Sequence, residues 1–144
     1  MHATLSQTMN STALQANCQD HQAITQLLVS YFDGLYHGDT KTLANTFHPK
    51  AQYACACSGE ILLLDMPTYF TWVKARPIPA KAKQARHDQI LSIDIAGPET
   101  AMAKVNCSLG DRYFTDFLSL IKEQRRWQII AKVFHYDLLN YLRS

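Results

Sequence analysis

An aspartate in the middle of an apolar segment could carry proton chemistry in this chain. Asp116 lies within the sequence YFTDFL, whose composition predicts a β-strand. A carboxylate at the centre of such a strand is costly to bury unless it is neutral or paired. Period-two alternation places it on one face with Phe114, Leu118 and Leu120. We expect this face to line an internal pocket; the alternatives are an outward-facing Asp116 or one paired with a neighbouring lysine.

A histidine and two cysteines are further candidates. His87 directly precedes Asp88 and a predicted strand, and an imidazole there can transfer protons near neutral pH. The alternative is an exposed histidine beside a basic loop. Cys55 and Cys57 share one strand face, but no C-x-x-C or H-x-x-x-H spacing completes a metal-binding set. We expect small buried thiols at these two positions and no metal.

Aromatic residues are frequent enough to line a pocket for a flat ligand, although at least half of them are expected to be plain core. The candidates are Tyr53, Tyr69, Phe70, Trp72, Phe114 and Phe134. The segment from Lys74 to Arg86 carries five basic residues, which either attract an anionic ligand or form a solvated surface.

The elements that position these residues can be read from local patterns. Residues 1–20 are weakly patterned and predict a flexible lead-in, and residues 21–144 predict a single domain. Apolar residues at helical spacing predict a helix from about Gln22, capped by Asp20, and Asp39 is expected to cap a second, short helix. A strand pair, a helix starting at Met66-Pro67 and an antiparallel meander follow. Helices first and strands later indicate an α+β domain.

This order of elements resembles the nuclear transport factor 2-like (NTF2-like) cone fold. The segments YFDGLYHGD, FHPKAQY and WQIIAKVFHY carry the resemblance, and ILSIDIAGPETAMAKV with YFTDFLSLIKEQRRWQII is most similar to its putative lumazine-binding, SnoaL-like branch. The resemblance implies N-terminal helices packed on a curved antiparallel sheet, and an apolar pocket inside the cone. It also implies a homodimer formed through the outer sheet face.

The resemblance assigns site residues as well. Relatives of the ketosteroid isomerase type hold an oxyanion with a helix tyrosine and a protonated strand aspartate, which correspond here to Tyr31 and Asp116. The general base of that type falls near Cys55, where a thiol is a poor substitute, so we do not expect this isomerase chemistry. Dehydratase-type relatives place a histidine where His87 stands. The implied ligand pocket comprises Tyr31, Tyr53, Cys55, Trp72, His87, Phe114, Asp116 and Phe134.

We therefore expect a small-molecule-binding protein, with no cofactor and no committed catalytic residue. One alternative is an isomerase, dehydratase or cyclase that uses Asp116 and His87 as acid and base and Tyr31 as oxyanion donor. Another is a protein-interaction module with a vestigial pocket.

Composition limits the class of protein further. The 144 residues are 47% hydrophobic and 18% charged, which suits one folded domain rather than a disordered chain. A net charge of +2 does not indicate a nucleic-acid partner. No secretory signal or membrane-spanning apolar run is present in this sequence, so a cytoplasmic protein is expected.

Overall fold

The computed structural model describes residues 2–57 and 59–139. In this part of the chain, helices pack against one sheet. The three helices are α1 (His2–His37), α2 (Thr40–Thr46) and α3 (Met66–Ala75). The six strands are β1 (Phe47–Cys57), β2 (Glu60–Leu64), β3 (Gln89–Ile95), β4 (Thr100–Leu109), β5 (Arg112–Glu123) and β6 (Arg126–Leu138). Within the described residues, no helix combines the length and apolar character needed to cross a membrane.

The two short helices begin where their capping residues predict. The Asp39 carboxylate accepts hydrogen bonds from the backbone N–H groups of Lys41 and Thr42 at the start of α2. Asp65 accepts one from the backbone N–H of Thr68 at the start of α3, and Pro67 occupies the first turn of that helix. The predicted start of the second helix and that of the third are confirmed.

Helix α1 begins at His2, so the predicted start near Asp20 is wrong. Residues 12–19 are exposed, and an exposed helical segment lacks the apolar stripe on which the prediction depends. Asp20 therefore lies inside the helix and does not cap it. Its Oδ1 accepts hydrogen bonds from Lys122 Nζ at 2.9 Å and Trp127 Nε1 at 3.1 Å, which tie α1 to the sheet.

The predicted apolar stripe of the first helix is confirmed downstream of Asp20. Ile24, Leu28, Tyr31 and Leu35 are buried against the inner face of the sheet and the other helices. Gly34 allows α2 to pack closely on this helix, because a Cβ at Gly34 would lie 2.8 Å from Leu43 Cδ2.

The sheet has the strand order β2-β1-β6-β5-β4-β3. The predicted meander is confirmed, since β3, β4, β5 and β6 pair antiparallel in sequence order. The pairing of β1 with β6 is parallel, so the sheet is mixed rather than wholly antiparallel. This parallel pair brings the β1–β2 hairpin and α3 next to the last strand, and together they enclose one end of the inner sheet face.

A β-bulge in β6 decides which of its side chains face inward. Ser119 pairs with Ala131 but Leu120 pairs with Ile129, so Ile130 is an extra residue in β6. Every second side chain of β6 faces inward, and the bulge shifts this alternation by one residue. As a result, Ile129 before the bulge and Lys132 and Phe134 after it are all buried. Without this shift, Lys132 would face the opposite side of the sheet from Ile129.

Candidate functional site

An aromatic cavity of about 490 Å³ lies between α3 and the inner face of the sheet. Its volume is in the range of small-molecule sites. Strands β1, β2, β5 and β6 contribute to its wall together with α3 and the residue that follows it. The lining residues are Tyr53, Cys55, Cys57, Leu62, Tyr69, Trp72, Ala75, Arg76, Arg112, Phe114, Phe134 and Tyr136.

The wall of this cavity is built from rings in mutual contact. Tyr53 and Tyr69 stack with their centroids 4.5 Å apart, and Phe134 lies 4.7 Å from Tyr53 and 5.6 Å from Phe114. Tyr53 belongs to β1 and Phe134 to β6, so the parallel pairing of those strands places the two rings together. Such a wall offers flat apolar surface to a ring-containing ligand.

Two guanidinium groups add positive charge to this apolar cavity. Arg76 Nη2 and Tyr69 Oη are both buried, and within the described part of the chain neither makes a well-formed hydrogen bond. The Arg112 guanidinium lies over the Tyr136 ring, 4.4 Å from its centroid. Burial raises the pKa of Tyr69, although the positive charge of Arg76 and the approach of its guanidinium to the Tyr69 hydroxyl oppose this shift. Tyr69 therefore keeps its proton at neutral pH and can donate a hydrogen bond to a ligand.

Tyr31 and Asp116 form a buried hydrogen-bonded pair near this wall. Tyr31 Oη donates to Asp116 Oδ2 at 2.7 Å, and the Asp116 side chain is wholly inaccessible. Asp116 Oδ1 has no hydrogen-bond partner among the described residues. Burial raises the pKa of Tyr31 well above its usual value, and the negative charge of Asp116 raises it further. Tyr31 therefore remains the donor and Asp116 the acceptor.

Lys132 supplies the positive charge that compensates this carboxylate. Its Nζ lies 3.8 Å from Asp116 Oδ2, and its side chain is only 3% exposed. The amine also lies 5.2–5.8 Å from the centroids of the aromatic rings of Tyr31, Tyr53, Tyr69, Phe114 and Phe134. All but Tyr31 line the cavity, so the amine and the cavity contact the same rings.

The structure brings together most of the residues expected in the pocket. Tyr53, Cys55, Trp72, Phe114 and Phe134 line the cavity. Tyr31 and Asp116 do not line it; they are buried with Lys132 beside the aromatic wall. Asp116 faces the interior without lining the cavity, and it is paired with a lysine, as one of the alternatives proposed.

His87 is not brought to this site. It is exposed and lies beside a separate surface depression with Gln84, Gly110 and Asp111. The segment before it is held there, because Gln84 exchanges hydrogen bonds with the backbone of Gly110 and Arg86 pairs with Asp33 and Asp88. The structure therefore does not form the acid–base pair of His87 and Asp116 that the enzyme alternative requires.

The two strand cysteines lie on the β1 side of the cavity. The structure joins Cys55 and Cys57 as a disulfide, with their Cα atoms 5.6 Å apart, so the prediction of two free thiols is wrong. Their common strand face, which the sequence does indicate, brings the sulfur atoms together. Across the described residues, no group of three or more histidine, cysteine or acidic side chains is arranged to hold a metal ion.

The sequence analysis does not place Lys132 among the site residues, although its position in the strand indicates that it faces inward. In the segment KVFHY, Lys132 shares strand parity with Phe134 and Tyr136, which predicts that it faces inward with them. Asp116 pairs with Phe134 and Leu118 pairs with Lys132, so Asp116 and Lys132 are diagonal neighbours across β5 and β6. This register depends on the bulge at Ile130 and on the β5–β6 turn.

Comparisons with known proteins agree with this fold. The chain is 25% identical over 118 residues to the aldolase FrzH of Cladobotryum sp, with 81% of this chain and 90% of that protein covered. An NTF2-like protein of unknown function from Silicibacter pomeroyi DSS-3 superposes with a TM-score of 0.74 at 24% identity, covering 84% of this chain and 98% of that chain. Another from Shewanella baltica OS155 has a TM-score of 0.75 at 22% identity, covering 83% and 95%.

The family assignment depends on most of the chain. Residues 19–135 match the model of the family described as "Putative lumazine-binding", and this range contains every residue of the cavity wall except Tyr136. The chain therefore belongs to this family and has the α+β, NTF2-like fold that the sequence predicts, with an apolar pocket inside the cone.

Proposed function

We propose that this protein binds a small, flat and mostly apolar molecule that carries a carboxylate or a similar anionic group. The observation that carries the proposal is the buried Arg76 Nη2, which lies in an aromatic cavity beside the Tyr69 hydroxyl, with no well-formed hydrogen bond and no carboxylate partner in the described structure. A buried guanidinium N–H without a well-formed hydrogen bond is costly, and a bound anion would remove that cost.

The charge of the cavity supports an anionic ligand. Arg76 and Arg112 both line it, and its described lining includes no aspartate or glutamate. The nearby charge of Lys132 is compensated by Asp116. The cavity wall therefore carries an excess of positive charge that an anionic group would neutralise, while its aromatic surface would hold the ligand's ring.

Intrinsic fluorescence provides a direct binding test, because Trp72 lines the cavity. Titration with 2-naphthoate is expected to quench Trp72 saturably, whereas the neutral methyl ester of the same acid should bind at least about tenfold more weakly. Arg76→Gln and Arg112→Gln are each expected to weaken naphthoate binding about tenfold or more. Lys74→Gln is the matched control, since Lys74 is exposed and outside the cavity wall. Equal affinity for acid and ester, or no binding of either, would contradict the proposal.

An acid–base enzyme is the second candidate, favoured by the buried Tyr31–Asp116 hydrogen bond and by the resemblance to an aldolase. Asp116 would move the proton, with Lys132 rather than His87 as its charged partner. A retro-aldol assay with an aryl β-hydroxyketone would support this candidate if product release is abolished by Asp116→Asn and unaffected by His87→Ala. No product release would contradict it.

We also propose that the protein forms a homodimer through the outer sheet face. It would act in the cytoplasm, where the Cys55–Cys57 disulfide would be reduced to two thiols. Phe117 and Val133 pair directly across β5 and β6, and each is about half exposed on that face. Met102 on β4 is exposed in the same way. A second copy that covers this face would bury their apolar surface.

The presence of a cavity inside the cone favours ligand binding over a protein-interaction module with a filled cone.

A further inference from the structure

Lys132 holds an amine inside the protein, between a buried carboxylate and the aromatic wall of the cavity. Lysine is rarely buried to this degree, and an amine in apolar surroundings is suited to attack a carbonyl group. Anion binding does not require it, because Arg76 and Arg112 already line the cavity. The ligand-binding role proposed above therefore leaves this amine unexplained.

The contacts of the Lys132 amine leave its N–H groups available for chemistry. Its Nζ lies 3.8 Å from Asp116 Oδ2, a distance typical of an ion pair but too long for a hydrogen bond. The amine otherwise faces aromatic rings at 5.2–5.8 Å. Asp116 Oδ2 is hydrogen-bonded to Tyr31, whereas Oδ1 has no hydrogen-bond partner within residues 2–57 and 59–139 and can accept a proton.

We propose that Lys132 forms an imine with an aldehyde or ketone group of the cavity ligand, with Asp116 carrying the proton. This inference rests on the proposed binding function, because the cavity must first hold the ligand. It adds a ligand class: a flat aromatic molecule that carries both an anionic group and a reactive carbonyl.

The reaction balances without any other reactant. The Lys132 ammonium group gives one proton to Asp116, and the neutral amine forms a C–N bond to the carbonyl carbon. A proton moves from nitrogen to the former carbonyl oxygen, which gives a carbinolamine. Asp116 then returns its proton to that hydroxyl group, water leaves, and a protonated imine remains. A cation and the Asp116 carboxylate are present before and after the reaction, so the interior never holds an uncompensated charge.

The aromatic wall controls access to the amine. Lys132 does not itself line the cavity, whereas the rings of Tyr53, Tyr69, Phe114 and Phe134 contact both the amine and the cavity. A carbonyl group reaches Nζ only when some of these rings turn aside. Imine formation is therefore expected to follow ligand binding as a separate, slower step.

Reductive trapping tests this proposal on the intact wild-type protein. The protein is incubated with 4-formylbenzoate and sodium cyanoborohydride, and the modified lysine is located by peptide mass spectrometry. We expect one dominant adduct per chain, on the peptide that contains Lys132, and competition by the unreactive analogue 4-methylbenzoate. Asp116→Asn should slow the adduct's formation at least about tenfold, because the proton carrier is lost.

Two variants serve as matched controls for the trapping. Lys132→Arg keeps a positive charge beside Asp116 but has no amine to trap, so the dominant adduct should disappear. Lys104→Arg should leave it unchanged, although Lys104 also lies near an aromatic ring, at 5.8 Å from the Phe117 centroid. Circular dichroism of each variant shows whether it is folded, and the wild-type peptide map remains decisive if Lys132→Arg fails to fold.

The outcomes separate this inference from the binding proposal. If 4-methylbenzoate binds but adducts are spread over surface lysines and unchanged in Lys132→Arg, Lys132 only compensates Asp116 and the imine proposal is overturned. If neither 4-methylbenzoate nor 2-naphthoate binds in direct titration, the binding proposal fails, and the imine proposal that rests on it fails as well. A dominant, competable adduct on Lys132 supports both.

Discussion

The Tyr31 hydroxyl and the Asp116 carboxylate lie 85 residues apart in the chain, and a 2.7 Å hydrogen bond joins them in the interior. Tyr31 comes from the buried stripe of α1 and Asp116 from the centre of β5. The bond therefore connects the helical layer to the sheet. It also fixes the carboxylate beside Lys132, whose amine contacts the rings of the cavity wall.

Tyr31→Phe is expected to lower the free energy of unfolding by about 1.5–3 kcal/mol, because the buried carboxylate loses a hydrogen-bond donor. Urea denaturation followed by circular dichroism measures this change. The control is Tyr113→Phe, on the other face of β5, which should cost less than about 0.5 kcal/mol. Equal losses in the two variants would show that the Tyr31–Asp116 bond contributes nothing particular.

Lys132→Met is expected to destabilise the protein by about 3–5 kcal/mol, because it leaves a buried carboxylate without a compensating charge. The double variant Lys132→Met/Asp116→Asn removes that charge as well. It should recover most of the loss, since the introduced amide oxygen can still accept a hydrogen bond from Tyr31. Urea denaturation measures the free energy of unfolding of the wild type, the two single variants and the double variant, which together form a double-mutant cycle. A double variant as unstable as Lys132→Met would rule out charge compensation as the role of Lys132.

Stability is expected to fall as pH rises above about 9. Burial raises the pKa of Cys107 to about 12, and burial also raises the pKa values of Tyr31, Tyr53 and Tyr69. The unfolded chain loses these protons at lower pH than the folded chain does, so rising pH favours unfolding. The stabilising contribution is fully present below the unfolded-state pKa values and is lost as pH rises through the folded-state ones.

Cys107 alone should lower the free energy of unfolding by an amount on the order of 2–3 kcal/mol at pH 11. Cys107→Ala should therefore show a shallower decrease in the urea midpoint between pH 8 and pH 11 than the wild type. An identical pH dependence in the two proteins would contradict this assignment.

Phe117→Asp is expected to convert the proposed dimer into a monomer, because a carboxylate would be buried in the apolar centre of the outer sheet face. Multi-angle light scattering at micromolar concentration measures the mass. Ile61→Asp is the matched control: Ile61 is 85% exposed on the edge strand β2, away from the pairing of Phe117 and Val133. A wild-type monomer, or a Phe117→Asp dimer, would contradict the proposed interface.

The local features of this fold could be predicted from sequence because each depends on residues close in the chain. Asp39 caps a helix through neighbouring backbone N–H groups, and the buried stripe of α1 follows from spacings of three and four. The alternation around Asp116 correctly predicts that Phe114, Leu118 and Leu120 share its buried face. Trp72 and Phe134 are likewise found in the cavity wall, as the family resemblance implies.

Only the tertiary structure decided which polar groups meet. The parallel pairing of β1 with β6 and the bulge at Ile130 place Lys132 beside Asp116 and beside rings from β1, α3 and β5. Hydrogen bonds between Gln84 and Gly110 hold the segment before His87 at another surface. These contacts join residues far apart in the chain, and their energies depend on burial and register. The sequence by itself determined the fold, the inward face of Asp116 and an aromatic pocket; packing decided that lysine and arginine, rather than histidine, provide the positive charge at this site.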